Sequence, residues 1–446
     1  MPGLALALAA FLTNFDVTAV VVAMPAIGRD LGFGVTGFAW VMDAYSLAFT
    51  ATLLASGALA DRYGRRRALL LGNILFLAAS LACGLAADGP ALWTARAVQG
   101  AGAAFVITGA IALLASAYPK AQERARAFGF MGVISGIAMA LGPTLGGVVS
   151  AWFGWRWIFL ANIPLCALIA WAVPRLVDET RDAHGRPLDV AGIILLTVAL
   201  GLTIEALLAG RDAPTYAALG LFVGAVLLGL FVVAQRRQAR PMLDPAVFAR
   251  PAMVGIVILL FAVSFGYWAV LVYLPLFVRA SFGWSAELAG LALLAATAPM
   301  LVLPPIGGRL VVHWGWRRLF ATGLAITAAG DLLLAGSAAS PDGATRLGVM
   351  LLGMACIGTG AALAHPQLSG AVVALVPPDQ AGMASAVTIV ARQAGFAIGI
   401  AVLGAALVSE TRAEGFVPLF TLAAAAALAG LCAALLLLPA AMLKAA

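Results

Sequence analysis

Apolar residues in this chain come in long runs, each closed by a short charged or Pro/Gly turn. That rhythm predicts helices. The runs fall at 3–24, 38–60, 68–86, 92–117, 126–150, 157–175, 190–208, 215–235, 252–276, 287–312, 318–338, 345–366, 383–408 and 417–439. At a helical rise of roughly 1.5 Å per residue, such runs match a hydrocarbon layer about 30 Å thick. The expectation is an all-α polytopic membrane protein with 14 transmembrane helices.

The turns carry a second pattern. One set of loops holds Arg62, Arg65, Arg66, Arg67, then Lys120, Arg124, Arg126, then Arg175, Arg181, Arg186, and later Arg236, Arg237, Arg240, Arg250, Arg317 and Arg318, with Lys444 near the end. The opposite loops hold only Arg29, Arg156, Arg211, Arg279, Arg346 and Arg412. Basic residues accumulate on the cytoplasmic side, so both termini are expected there. The chain also repeats itself: Gly308–Arg318 matches Gly57–Arg67 at an offset of 251 residues, with Val312 where Asp61 stands. Six runs precede the region 176–250 and six follow it, giving a 6+2+6 arrangement. The expected domains are a six-helix bundle over 1–175, an inserted helical hairpin with flanking loops over 176–250, and a second, pseudo-symmetric six-helix bundle over 251–446. Repeats of this kind build many secondary transporters, with the substrate site between the halves.

Composition narrows the function. With 63% hydrophobic and 10% charged residues, the chain departs far from a soluble composition. Its net charge of +7 is spread over the loops, which points to topology and away from nucleic acid. Neither Lys120 nor Lys444 follows a glycine, so a Walker A phosphate loop is excluded. Cys83, Cys166, Cys356 and Cys432 lie in apolar runs and are expected to pack helices. His184, His313 and His365 have no ligand constellation, so no metal is expected. No nucleophile–base pair or filter-like loop supports an enzyme or a channel.

Several stretches together resemble one family. Gly57-Ala58-Leu59-Ala60-Asp61-Arg62-Tyr63-Gly64-Arg65-Arg66-Arg67 resembles the loop between helices 2 and 3 of the major facilitator superfamily. Leu12–Thr18 with Asp16, Trp40–Leu47, Arg96–Gly102, Gly142-Pro143-Thr144-Leu145-Gly146-Gly147, Trp155–Phe159 with Asn162-Ile163-Pro164, and Arg392–Gly395 are similar to motifs of its fourteen-span drug:proton antiporters. The resemblance covers essentially the whole chain and implies the major facilitator fold. It also implies proton-coupled efflux of a small amphiphilic drug or antibiotic across the bacterial cytoplasmic (inner) membrane by alternating access. The coupling ion is the proton, with no cofactor, and action as a monomer is expected. A dedicated exporter of a metabolite, siderophore or self-made antibiotic is the alternative.

Ionisable residues inside a membrane are costly, so each is a functional candidate. Asp16, about thirteen residues into the first run, is read as a proton carrier or substrate contact, against a helix-packing role. The resemblance implies that Arg96 toggles this carboxyl, and Gln99 shares its helix face. Asp43 either attracts cationic substrates or faces an outer vestibule. Tyr45 is a cavity candidate. Asp331, the sole charge in the interior of its run, is read equally as a substrate or proton group or as a solvated lumen residue. Gly57, Asp61, Arg62, Gly64 and Arg65 form an expected gating loop, with the Asp61 carboxylate latching a helix N-terminus across the interface. In the fifth run Pro143 removes a backbone hydrogen bond, while Gly142, Gly146 and Gly147 allow close helix approach.

Overall fold

The computed structural model describes residues 2–118, 120–181, 189–209, 213–238, 250–340, 343–375 and 381–439. Among these every regular element is helical, and they form two compact units, Met1–Thr197 and Val198–Ala446. His184, Arg186, Arg211, Arg240 and Lys444 lie outside the described residues.

The first unit contains α1 (Pro2–Leu31), α2 (Val35–Tyr63), α3 (Arg65–Gly84), α4 (Gly89–Ala117), α5 (Ala121–Phe153), α6 (Arg156–Leu160) and α7 (Asn162–Leu176). Local chemistry sets several ends. Asp88 caps α4, its Oδ1 accepting from the Ala91 N–H at 2.8 Å, with Pro90 in the first turn. α2 stops at Gly64, whose φ of 118° lies where L side chains rarely go. Helix α8 (Val190–Ala209) crosses the unit boundary, and α9 (Pro214–Arg237) follows. α9 leaves most of its apolar surface exposed, as a lipid-facing helix does, and the Tyr216 hydroxyl donates to Glu205 of α8 at 2.6 Å.

The second unit continues with α10 (Pro251–Val263), a π-helical turn at Ser264–Ala269, α11 (Val270–Phe282), and the short pieces α12 (Ala286–Ala292), α13 (Leu294–Thr297) and α14 (Pro299–Val302). Then come α15 (Pro304–Ala339), α16 (Gly343–Ala374), α17 (Ala381–Ala406), a 3₁₀ turn at Ala413–Phe416, and α18 (Val417–Leu437). The expected continuous run 287–312 is therefore broken: Pro299, Pro304 and Pro305 lack the N–H that a helix interior requires. The expected turn after 312 is a kink inside α15 at Gly315, φ 76° and ψ 163°. α16 also runs past Pro366 to Ala374, beyond the expected end at 366. By length and apolarity, 11 described helices are able to cross a membrane, or 12 with the bent α2, and Ala286–Val302 and Ala391–Ala406 are shorter apolar stretches.

Both units contain the same close-packed helix pair. In the first, α3 and α4 meet through glycine: a Cβ on Gly72 would lie 2.6 Å from Gly102 O, and one on Gly102 would lie 2.7 Å from Phe76 N. In the second, α15 and α16 meet identically: Gly323 against Gly360 O at 3.0 Å, and Gly360 against Thr327 N at 2.8 Å. A Cβ on Gly100 would lie 2.1 Å from Tyr45 O, and one on Gly358 would lie 2.0 Å from Ala296 O. Gly64 and Gly315, the matching glycines of the repeated stretch, both have positive φ. Cys83 and Cys166 are buried among these helices, whereas Cys432 is exposed on α18, so core packing does not describe that cysteine.

Candidate functional site

Four helices of the first unit bring their polar side chains to one buried point. α1 supplies Asp16, α3 Ser80, α4 Arg96 and Gln99, and α7 Asn162; all are fully buried. The Arg96 Nη1–H donates to Asp16 Oδ2 at 2.5 Å. The other carboxylate oxygen accepts from Gln99 Nε2 at 2.9 Å and Asn162 Nδ2 at 2.7 Å. Gln99 Nε2 also donates to Ser80 Oγ at 2.9 Å, while its Oε1 accepts from Arg96 Nη1 at 2.7 Å and from the Cys83 thiol at 3.7 Å. From α2, Val41 O accepts from Arg96 Nε at 3.1 Å, and the Tyr45 ring lies 4.4 Å from the guanidinium. Phe159 of α6 faces it from 5.8 Å. A buried ion pair is tolerable only when its remaining donors and acceptors are met, and here most are; among the described residues Arg96 Nη2, and in the surrounding ring Asn162 Oδ1, lack a partner. Aromatic rings beside that cation supply part of what hydrogen bonds do not.

The site thus brings together the sequence candidates Asp16, Arg96 and Tyr45. It adds Ser80 and Asn162, to which no role was attached. Asn162 had a signal, being the one polar side chain of the Asn162-Ile163-Pro164 turn; Ser80 had none, because serine is unremarkable in an apolar run. Asp43, two residues from Tyr45, is fully buried, and neither carboxylate oxygen is hydrogen-bonded among the described residues. It does not join the cluster. Asp331 lies in the second unit, also fully buried and without a hydrogen-bond partner among the described residues.

Close backbone contact positions Asp16. On α5, a Cβ at Gly142 would lie 2.0 Å from Thr18 Oγ1, and one at Gly146 would lie 2.4 Å from Ala19 O. Thr18 is two residues from Asp16, so the glycines set how α1 sits against α5. Pro143 and Gly147 are buried in the same stretch, and α5 stays helical through Pro143.

The charged loop is organised differently from expectation. Asp61 Oδ1 accepts from Arg65 Nε and pairs with Nη2, each at 2.9 Å, and Arg65 Nη1 donates to Ser116 Oγ at 2.7 Å. Arg62 lies over the Tyr63 ring at 5.5 Å. Glu179, in the strand of chain after α7, takes the N-terminus of α3: Oε1 accepts from Arg66 N at 2.8 Å and Oε2 from Arg67 N at 3.2 Å. Arg65 N donates to Thr180 O at 2.9 Å. Gly64 makes the room, since a Cβ there would lie 2.8 Å from the Glu179 carboxyl carbon. An anion on a helix N-terminus is favourable through the dipole and the free N–H groups. Gly57 has open space around it. Among the described residues no group of three or more His, Cys, Asp or Glu is arranged to hold a metal.

Residues 6–262 and 256–444 match the Major Facilitator Superfamily. The chain is 34% identical over 407 residues to the multidrug resistance protein Stp of Mycobacterium tuberculosis, covering 91% of this chain and 75% of that one. It is 32% identical over 416 residues to a methylenomycin A resistance protein of Streptomyces coelicolor, covering 91% and 85%. A crystal structure of the peptide transporter POT, bound to alafosfalin, superposes with a TM-score of 0.72 at 17% identity over 97% of this chain and 93% of that one.

Proposed function

The chain belongs to the major facilitator superfamily, and from that premise we propose that it is an efflux antiporter, exchanging amphiphilic drugs or antibiotics for protons by alternating access. It is a multi-pass membrane transporter of small molecules and not an enzyme. Drug efflux is the activity its relatives' names carry, among them a multidrug resistance protein and an antibiotic resistance protein. Proton coupling is our extension, and one observation carries it: the fully buried Asp16–Arg96 pair, ringed by Gln99, Asn162 and Ser80. A carboxyl that binds a proton has to leave this ring of donors, and one that loses it is drawn back. Binding and release of the proton are thereby tied to a rearrangement of α1 against α4.

The 6+2+6 arrangement of fourteen spans, the cytoplasmic membrane, cytoplasmic termini and action as a monomer complete the proposal. In this reading the two spans beyond twelve are the shorter apolar stretches Ala286–Val302 and Ala391–Ala406. Asp43 and Tyr45 are proposed to meet cationic cargo. The Asp61–Arg65 pair belongs to the proposed inner gate.

A drug-susceptibility panel in a pump-deficient bacterial host tests the reading, with Asp16→Asn beside the wild type. Protection by the wild type alone, with ΔpH-driven drug uptake into everted vesicles, is expected. No protection against any compound would redirect the reading to a dedicated metabolite exporter.

A further inference from the structure

We propose that Asp331 is a proton-binding site of the second unit, taking up and releasing a proton in the transport cycle separately from the Asp16 cluster. The proposal rests on the transporter reading but not on which cargo is moved.

The internal repeat locates the residue. Asp331 follows Ser80 by 251 residues, the offset of the repeated stretch, and the α3 and α15 helices align between them without a gap. The paired contacts of Gly72 with Gly102 and of Gly323 with Gly360 confirm that register in three dimensions. Asp331 is thus the counterpart of the serine at the edge of the Asp16 cluster. On the neighbouring helix, the pairs Gly100–Gly358 and Gly102–Gly360 set the counterparts of Arg96 and Gln99 as Met354 and Ile357, both fully buried. The second unit keeps the helix packing, drops the cation and the amide, and moves the acid from the first helix of the bundle to the third.

The surroundings are shaped for this acid. Opposite it stands Gly266, in the π-helical turn Ser264–Ala269; a Cβ there would lie 3.1 Å from Asp331 Oδ2 and 3.0 Å from Thr327 Cγ2. Thr327, one turn before Asp331, spends its hydroxyl on Gly323 O at 3.1 Å. Other titratable or charged groups on the packed elements are engaged elsewhere or lie apart. Tyr267 donates to Ala296 O at 3.1 Å, Arg346 donates from Nε to Ser340 O at 3.0 Å, and His365 packs on the Trp268 ring at 5.6 Å. Arg309, His313, Arg317 and Arg318 stand on α15 itself, thirteen or more residues away, roughly 20 Å along a helix. Cys356 on α16, Arg392 on α17, Glu414 in the 3₁₀ turn and Cys432 on α18 complete the set, and neither oxygen of Asp331 has a hydrogen-bond partner among the described residues. A carboxylate left in that state would be a bare charge in a low-dielectric interior; a proton removes it. Only the O–H bond forms or breaks, and the proton passes to water. π-Helical turns recur at functional sites and interrupt the regular ladder, so the wall facing Asp331 is the part of its helix best able to shift.

Infrared spectroscopy of the purified protein in lipid nanodiscs tests the site without any cargo. At neutral pH the wild type is expected to show a protonated-carboxyl component that shifts in heavy water within minutes. The part of it that belongs to Asp331 is expected to be lost in Asp331→Asn and retained in Asp43→Asn. In proteoliposomes, with ethidium as the probe, Asp331→Asn is expected to lower the proton-to-ethidium ratio by one, and Asp331→Glu to restore it. An unchanged component in Asp331→Asn, a component that never exchanges in heavy water, or an unchanged ratio overturns the proposal. Should the wild type move no ethidium, ethidium export fails as the cargo reading and the infrared result decides the proton site alone.

Discussion

Asp16 is held by three donors at once, which fixes the consequence of removing any of them. Arg96→Ala leaves a buried carboxylate with two amides and no cation, and breaking a buried pair from one side costs about 3–5 kcal/mol. The expected outcome is loss of ΔpH-driven efflux with a lower thermal unfolding midpoint in detergent, part of which the double variant Asp16→Asn/Arg96→Gln recovers. Asn162→Leu removes one hydrogen bond to a charged group, about 1.5–3 kcal/mol, and is expected to weaken transport several-fold in vesicles while Arg96 keeps the pair. The meeting of Asp16 with Arg96 was legible in the sequence because a charge in an apolar run has few places to go. Asn162 and Ser80 were not, since neutral polar side chains are common in membrane helices and only the fold shows which of them converge.

At the scale of elements, glycine decides how near two helices come. Gly146→Leu would drive a side chain into Ala19 O, where a Cβ alone sits at 2.4 Å, and overpacking of this kind costs about 1–3 kcal/mol or more. Reduced yield of folded protein and loss of efflux are expected, whereas the same change at Gly57, which has open space, should be tolerated in folding. Glu179→Gln removes the anion from the α3 N-terminus, a change worth about 0.3–1 kcal/mol at an exposed helix end, and transport rate is the sensitive readout. Equal rates in the two proteins would deny Glu179 a part in transport. The all-helical, membrane-spanning character was readable from apolar runs alone, whereas 11 or 12 described helices, against the fourteen expected, are long and apolar enough to cross. The breaks near 286–304 were not, because the prolines that cause them sit inside an unbroken apolar stretch, and hydropathy is blind to a missing N–H. Glu179 escaped for the opposite reason: charges in loops ordinarily face water, and nothing local says that one of them reaches back to the start of α3.

For the whole molecule, the number of protons decides which force drives export. One charge crossing about 100 mV releases about 2.3 kcal/mol, and each pH unit adds about 1.4 kcal/mol. A monovalent cation exchanged for a single proton feels only ΔpH, because the voltage terms cancel. With Asp331 as a second proton site the exchange moves net charge, so ethidium efflux is expected to respond to a potassium–valinomycin potential in the wild type and to lose that response in Asp331→Asn. A wild type indifferent to voltage would mean a single proton is exchanged for this cargo.

The glycine contacts shared by α3–α4 and α15–α16 have a historical consequence as well. An ancestral half that was copied and joined to itself could replace side chains facing its interior one at a time, but not the atoms that let its helices touch. Gly72, Gly100 and Gly102 have Gly323, Gly358 and Gly360 as counterparts, while Ser80, Arg96 and Gln99 stand opposite Asp331, Met354 and Ile357. On that account the scaffold stayed fixed while its ionisable chemistry diverged, one half pairing its acid with a cation and the other leaving its acid to a proton.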